Sequence, residues 1–131
     1  MSRRGWIDLK LRNRFSATQE LRAAVDRVAD ERRLDDGDRF DLKVAATEAL
    51  TNALRDIAES HVVEVTVASD ENSIDIEVAD RGAFSPRGER AHPKADTEGG
   101  RGIPLMIALV DEVQFARTGT GTRVRIRKRV A

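Results

Sequence analysis

Three glycines and an arginine, Gly99-Gly100-Arg101-Gly102, run directly into the apolar segment Ile103-Pro104-Leu105-Met106, which continues helix-like to Val110. No other stretch restricts the backbone as much. Glycines let the chain pass close to another group with no side chain in the way. The first turn of a helix carries N–H groups without partners inside the helix, and the macrodipole adds positive character there. Together with the cation Arg101, these features make an anion cradle of the kind that receives phosphate. Read alone, the same run is more often an ordinary turn.

The strongest helical periodicity runs from Asp38 to about Ala58, where Leu42, Ala46, Ala49, Leu50, Ala53 and Ile57 form one apolar stripe. Glu48 and Asn52 stand one turn apart on the side away from that stripe. A solvated pair on an exposed face is the plain reading. Against it stands Asn52, a poor helix former where Lys, Glu or Gln would serve solvent better. A carboxylate and an amide so placed suit a general base or water-orienting group beside an oxygen ligand for Mg²⁺. That hard cation keeps several waters and needs few protein ligands.

Further along, Ile74, Ile76 and Val78 alternate with Asp75, Glu77 and Ala79, the pattern of a half-buried strand, and Asp80 at its end has the apolar parity. A carboxylate aimed at the core side needs a hydrogen-bond donor at the core's edge. An Asp capping the turn at Arg81-Gly82 is the competing reading. Thr122, preceded by Gly119-Thr120-Gly121, shares the parity of Val124 and Ile126 and is expected to face inward. Taken alone, that stretch is an ordinary hairpin turn followed by a β-branched strand residue.

In this order the elements resemble the four boxes of the gyrase, Hsp90, histidine-kinase and MutL (GHKL) type of ATP-binding fold. Glu48-Ala49-Leu50-Thr51-Asn52-Ala53 is similar to the N box, Asp80-Arg81-Gly82 to the first glycine box, Gly99-Gly100-Arg101-Gly102 to the second, and Gly121-Thr122 to the last. The small size and the run from Gly100 to Val113 most resemble the bacterial anti-sigma factor and serine-protein-kinase branch, and the likeness covers roughly Ile7 to Val130. The resemblance implies ATP and Mg²⁺ as cofactors. It implies Glu48 as catalytic base or water-orienting carboxylate, Asn52 as the Mg²⁺ ligand and Asp80 as the acid that receives the adenine amino group. Gly82 matches the first-box glycine, Gly100 and Gly102 the glycines beside the phosphates, Arg101 a lid arginine and Thr122 a threonine near the adenine. The chain departs from the family pattern twice. Gly82 is followed by Ala83-Phe84-Ser85-Pro86, one residue short of the commoner form with a second glycine, and Asp56 stands where relatives often carry histidine.

Composition bounds the reading. The 131 residues suit a single domain, 1–131, and Lys plus Arg equals Asp plus Glu at 23 each, so no global field favours direct nucleic-acid binding. Arg123, Arg125, Arg127 and Arg129 alternate with Val124 and Ile126, which reads as the solvated outer face of an edge strand. With no cysteine, disulfides and thiolate metal sites are excluded. The longest apolar stretch, near Ile103 to Val110, is too short for a membrane span, and nothing resembles a signal peptide, so a cytoplasmic protein is expected. His61 and His92 are isolated and read as solvated, while Trp6, opening the amphipathic strand of Ile7, Leu9 and Leu11, suits either the core edge or a partner contact.

The spacing predicts strands at Trp6 to Arg12, Val62 to Ala68, Ser73 to Asp80, Glu112 to Arg117 and Thr122 to Arg129. It predicts helices at Thr18 to Arg33, with Ser16 or Thr18 as N-cap, and at Gly102 to Leu109. Arg81 to Glu98 is polar, too long for a simple connection, and expected to form a lid. The expected architecture is α+β: a two-layer sandwich of the Bergerat, histidine-kinase-like ATPase type, its mixed and mostly antiparallel sheet carrying helices on one face. Two functions follow from the resemblance. One is an anti-sigma serine/threonine protein kinase that sequesters a sigma factor and phosphorylates a STAS-type antagonist protein with Mg-ATP, and the resemblance implies a homodimer. The other is a nucleotide-binding partner-switching module with little or no phosphotransfer.

Overall fold

The computed structural model describes residues 5–55, 62–80, 102–118 and 121–130. The strands are β1 (Gly5–Leu11), β2 (Val63–Ser69), β3 (Ser73–Asp80), β4 (Glu112–Thr118) and β5 (Gly121–Arg129). The helices are α1 (Ala17–Glu31), α2 (Asp36–Arg55) and α3 (Gly102–Leu109). They build one five-stranded sheet in the order β1-β2-β3-β5-β4. Every pairing among these strands is antiparallel, so the expected mixed sheet is corrected to an antiparallel one. The connections allow this, because each pair of neighbours is joined by a hairpin or by a long return.

Alternation decides which face of the sheet is covered. Val63, Val65, Val67, Ile74, Ile76, Val78 and Ile126 are buried, and they meet Leu21, Val25 and Val28 of α1 and Leu42, Ala46, Ala49 and Leu50 of α2 in one core. Helix α2 packs on α1, on α3 and on strands β2, β3 and β5. Its buried set is therefore broader than one stripe and takes in Ala45 and Leu54 as well. The opposite sheet face is polar. Trp6 lies there, 47% exposed, and its indole N–H donates to Asp8 at 3.0 Å, so it is not a core-edge residue.

Strand β5 is also where an expectation fails. It lies between β3 and β4, so Arg123, Arg125, Arg127 and Arg129 face outward from an interior strand and not from an edge. Their cross-strand partners explain them: Arg123 meets Glu77 at 2.7 Å, while Arg125 and Arg127 meet Asp75 at 3.2 and 2.9 Å.

Helix boundaries follow local hydrogen bonding. Asp35 caps α2, accepting the Asp38 N–H at 2.8 Å, so the helix starts at Asp36, earlier than its apolar stripe suggests. At the start of α1 the residue in the cap position is Ser16, whose hydroxyl reaches Glu20 at 3.4 Å and makes no side-chain bond to the helix backbone. Helix α1 ends two residues before the expected Arg33. The Leu34 N–H bonds to Ala29 O at 3.0 Å and the Arg33 N–H to Asp30 O at 3.1 Å, closing a Schellman turn in which Arg33 takes φ 55°. That left-handed position favours glycine. Arg33→Gly is expected to raise unfolding free energy by about 1 kcal/mol, the relieved strain less the greater freedom of glycine in the unfolded chain. Urea denaturation checks it, and a loss of stability would show that the arginine side chain contributes more than its backbone costs.

The two long helices are also joined by charge. Asp26 on α1 accepts from Lys43 at 3.1 Å and Arg39 at 3.3 Å on α2. Burial works to raise its carboxyl, yet the hydrogen bonds from Lys43 and Arg39 outweigh it and hold the group below the ordinary aspartate value. This fixes the face that α2 turns toward the sheet and α3.

Candidate functional site

Two of the expected site residues, Asp80 and Thr122, meet at one end of the sheet. In the β3–β5 ladder Asp80 is the direct partner of Thr122, and Asp80 also pairs with Val63 on its other side. Period-two alternation from Ile74 and from Ile126 carries both side chains to the helix-covered face. Asp80 is 5% exposed and Thr122 is partly buried. The inward carboxylate expected from parity is therefore there, among three buried polar residues in the described part of the chain, the others being Ser69 and Ser73 at the far turn.

Glu48 and Asn52 lie on α2, both half-buried, beside the fully buried Ala45 and Ala49. They are thus neither core nor an open solvent face, which is what a pair lining a cleft requires. The Thr51 hydroxyl donates to the carbonyls of Thr47 at 3.0 Å and Glu48 at 3.2 Å, turning its own polarity back into the helix.

Helix α3 supplies the third side. Its last carbonyl, Leu109 O, accepts from Lys128 Nζ at 3.0 Å, and the same Nζ lies 3.6 Å from Asp38 and 3.9 Å from Asp41 in the opening turns of α2. The C-terminus of α3 therefore sits beside the N-terminus of α2. Because α3 packs along α2, the two run antiparallel. Eight residues of helix span about 12 Å, or about eight residues of α2 counted from Asp38 and Asp41, which brings Gly102 back to about the level of Ala46 to Ala49. The first-turn N–H groups of Gly102 and Ile103 have no intrahelical partner, and Pro104 has no N–H at all. A helix N-terminus with a glycine in its first position thus lies along the half of α2 that carries Glu48, and such an end is suited to an anion.

Gly82, Gly100 and Arg101 lie outside the described residues, as do Asp56, His61, His92 and the expected lid at 81–98. Of the expected set, the fold pairs Asp80 with Thr122 across the β3–β5 ladder and carries Glu48 and Asn52 one turn apart on α2. Lys128 was not singled out from the sequence, although the signal was present: it is a charge with the inward parity of Val124 and Ile126, as Asp80 is on β3. The neighbouring arginines of opposite parity mask it.

The donor set fits a nucleotide with Mg²⁺. One amide oxygen, Asn52, beside a carboxylate is a sufficient protein contribution for a cation that completes its shell with water and phosphate oxygens. No group of three or more His, Cys, Asp or Glu able to hold a metal occurs among the described residues. No described helix is long and apolar enough to cross a membrane.

Comparison with known proteins agrees with this fold. No curated protein sequence matches significantly. Among solved structures, the chain is similar to that of the RsbU and RsbW domains of Rv1364c from Mycobacterium tuberculosis, with a TM-score of 0.71 at 21% identity, over 96% of this chain and 32% of that one. This chain thus spans about a third of that protein, and the likeness is one of fold. The sequence pattern of the histidine kinase-like ATPase domain matches residues 11–128, nearly the whole length. The chain belongs to the histidine kinase-like ATPase domain family.

Proposed function

We propose that this domain is an ATP-binding anti-sigma regulatory serine/threonine kinase, which sequesters a sigma factor and transfers phosphate from Mg-ATP to a STAS-type antagonist. The observation that carries the reading is the buried Asp80 facing Thr122 across the β3–β5 ladder. A buried carboxylate beside a threonine hydroxyl offers an acceptor and a donor to one base, and the exocyclic amino group of adenine is a donor. The family membership supports ATP as the nucleotide, and the likeness to a structure containing an RsbW domain supports the partner-switching branch.

In this reading the first-turn N–H groups of α3, with Gly100 and Arg101, receive the phosphates, and Asn52 holds Mg²⁺ through its amide oxygen. The cation, when bound, offsets negative charge on the phosphates. Glu48 accepts the proton of the antagonist's serine or threonine hydroxyl as that oxygen bonds to the terminal phosphorus, and the bond to the bridging oxygen breaks to release ADP. The test is incubation of the chain with Mg-ATP and a STAS-type antagonist from the same genome. Phosphate on a serine or threonine of the antagonist is the expected result. Tight binding of nucleotide and partner without transfer would select the non-catalytic switching module instead.

A further inference from the structure

Lys128 is the charged member of the inward-facing row Thr122, Val124, Ile126 and Lys128 on β5, and its side chain is only 13% exposed. An ammonium in such a place is costly unless its donors are met. Here Leu109 O accepts at 3.0 Å, and the carboxylates of Asp38 and Asp41 lie at 3.6 and 3.9 Å. The arrangement joins three elements: a strand supplies the cation, the C-terminus of α3 its carbonyl, and the N-terminal turns of α2 their acids. The dipole of α3 favours the cation at its C-terminus, and that of α2 favours the acids in its first turns.

The clasp acts on a short helix that packs against α2 and is anchored in the core by Met106. Met106 is the fully buried residue of α3 among those described, whereas Leu105 and Ile107 are 38% and 58% exposed. Eight residues are too few to fix a helix by their own hydrogen bonding. Beyond its C-terminus, the Asp111 N–H bonds to Arg127 O at 3.0 Å and the Asp111 carboxylate accepts from the Arg129 N–H at 2.7 Å. The C-terminal end of α3 is therefore pinned to β5 on both sides of Lys128, while its other end carries the first-turn N–H groups of Gly102 and Ile103.

We infer that Lys128 is a positioning residue for the phosphate end of the nucleotide site, setting where α3 stands along α2 and hence where the N–H groups of Gly102 and Ile103 meet the ligand. The inference rests on the nucleotide-site reading above. It separates two halves of that site. Asp80 and Thr122 belong to the β3–β5 ladder and do not depend on α3, whereas the phosphate donors ride on the helix that Lys128 holds.

Binding of Mg-ATP and of adenosine to the wild-type chain and to Lys128→Met, Lys128→Gln and Lys128→Arg, measured by calorimetry, tests it. Lys128→Met is expected to weaken Mg-ATP roughly ten-fold or more, the scale of one hydrogen bond from a charged group. Adenosine affinity is expected to change by less than about two-fold, as for independent sites. Lys128→Arg, which keeps a charged donor toward Leu109 O, is expected to recover most of the Mg-ATP affinity. If Lys128→Met does not fold, Lys128→Gln carries the same comparison. Equal weakening of both ligands, or an unchanged Mg-ATP affinity, overturns the positioning role while leaving the site reading intact. A wild-type chain that binds neither ligand overturns the site reading and the inference with it.

Discussion

Glu48→Gln is expected to bind Mg-ATP about as tightly as the wild-type chain and to transfer phosphate roughly 10²- to 10⁴-fold more slowly, the range for loss of a general base. The substitution keeps the size and hydrogen-bonding shape of the side chain, and Glu48 is only half-buried on α2, so folding is expected to be unaffected. The separation of binding from chemistry identifies the role. A group that only contacts the nucleotide would change affinity, whereas a group that takes the hydroxyl proton changes the transfer step alone. Asn52→Ala, one turn away, supplies the contrast: its expected defect is loss of the Mg²⁺-dependent part of ATP binding, because the amide oxygen is the proposed ligand. Calorimetry with and without Mg²⁺, beside single-turnover transfer to the antagonist, distinguishes the two. Wild-type transfer rates in both variants would return the pair to an ordinary partly exposed helix face.

The parts of the site legible in the sequence are those governed by local period. Asp80 and Thr122 were expected to face inward because a strand alternates strictly, and the ladder pairs them directly. The Gly102–Leu109 helix and the Ser73–Asp80 strand have the bounds their composition suggests. Features set by distant contacts were not legible. The insertion of β5 between β3 and β4 depends on the pairing of β5 with β3, far away in the chain, and without it a run of alternating arginines resembles a protected edge. In the same way α2 buries Ala45 and Leu54 because two helices and the sheet surround it, so its apolar surface is wider than a single stripe. The stop of α1 was missed for a local reason: Arg33 occupies the left-handed position where glycine would have marked the end. Lys128 shows both limits at once, since its parity was readable but its partners, Leu109 O and two acids of α2, come from far along the chain.

Asp80→Asn is expected to reduce ATP affinity about 10- to 150-fold while leaving the much weaker GTP binding nearly unchanged, so that discrimination between the two bases is largely lost. The magnitude is that of a hydrogen bond involving a charged group, about 1.5 to 3 kcal/mol. The carboxylate offers only acceptors, and at 5% exposure it has little water to compensate for a lost partner. The amino group of adenine is a donor at the position where guanine presents a carbonyl. An asparagine in the same place can present either its oxygen or its NH₂, and so it no longer rejects guanine. Thr122, directly opposite in the ladder, is unchanged in the variant, which keeps the comparison to one group. Asp80 also has a place in the fold, so thermal unfolding of the variant must accompany calorimetry with ATP and GTP. A variant of unchanged stability with unchanged ATP affinity would remove Asp80 from the base site and leave it as the buried end of β3. Loss of ATP binding with GTP unaffected, at equal stability, ties the buried carboxylate to adenine and thereby fixes which end of the nucleotide lies on the sheet and which on α3.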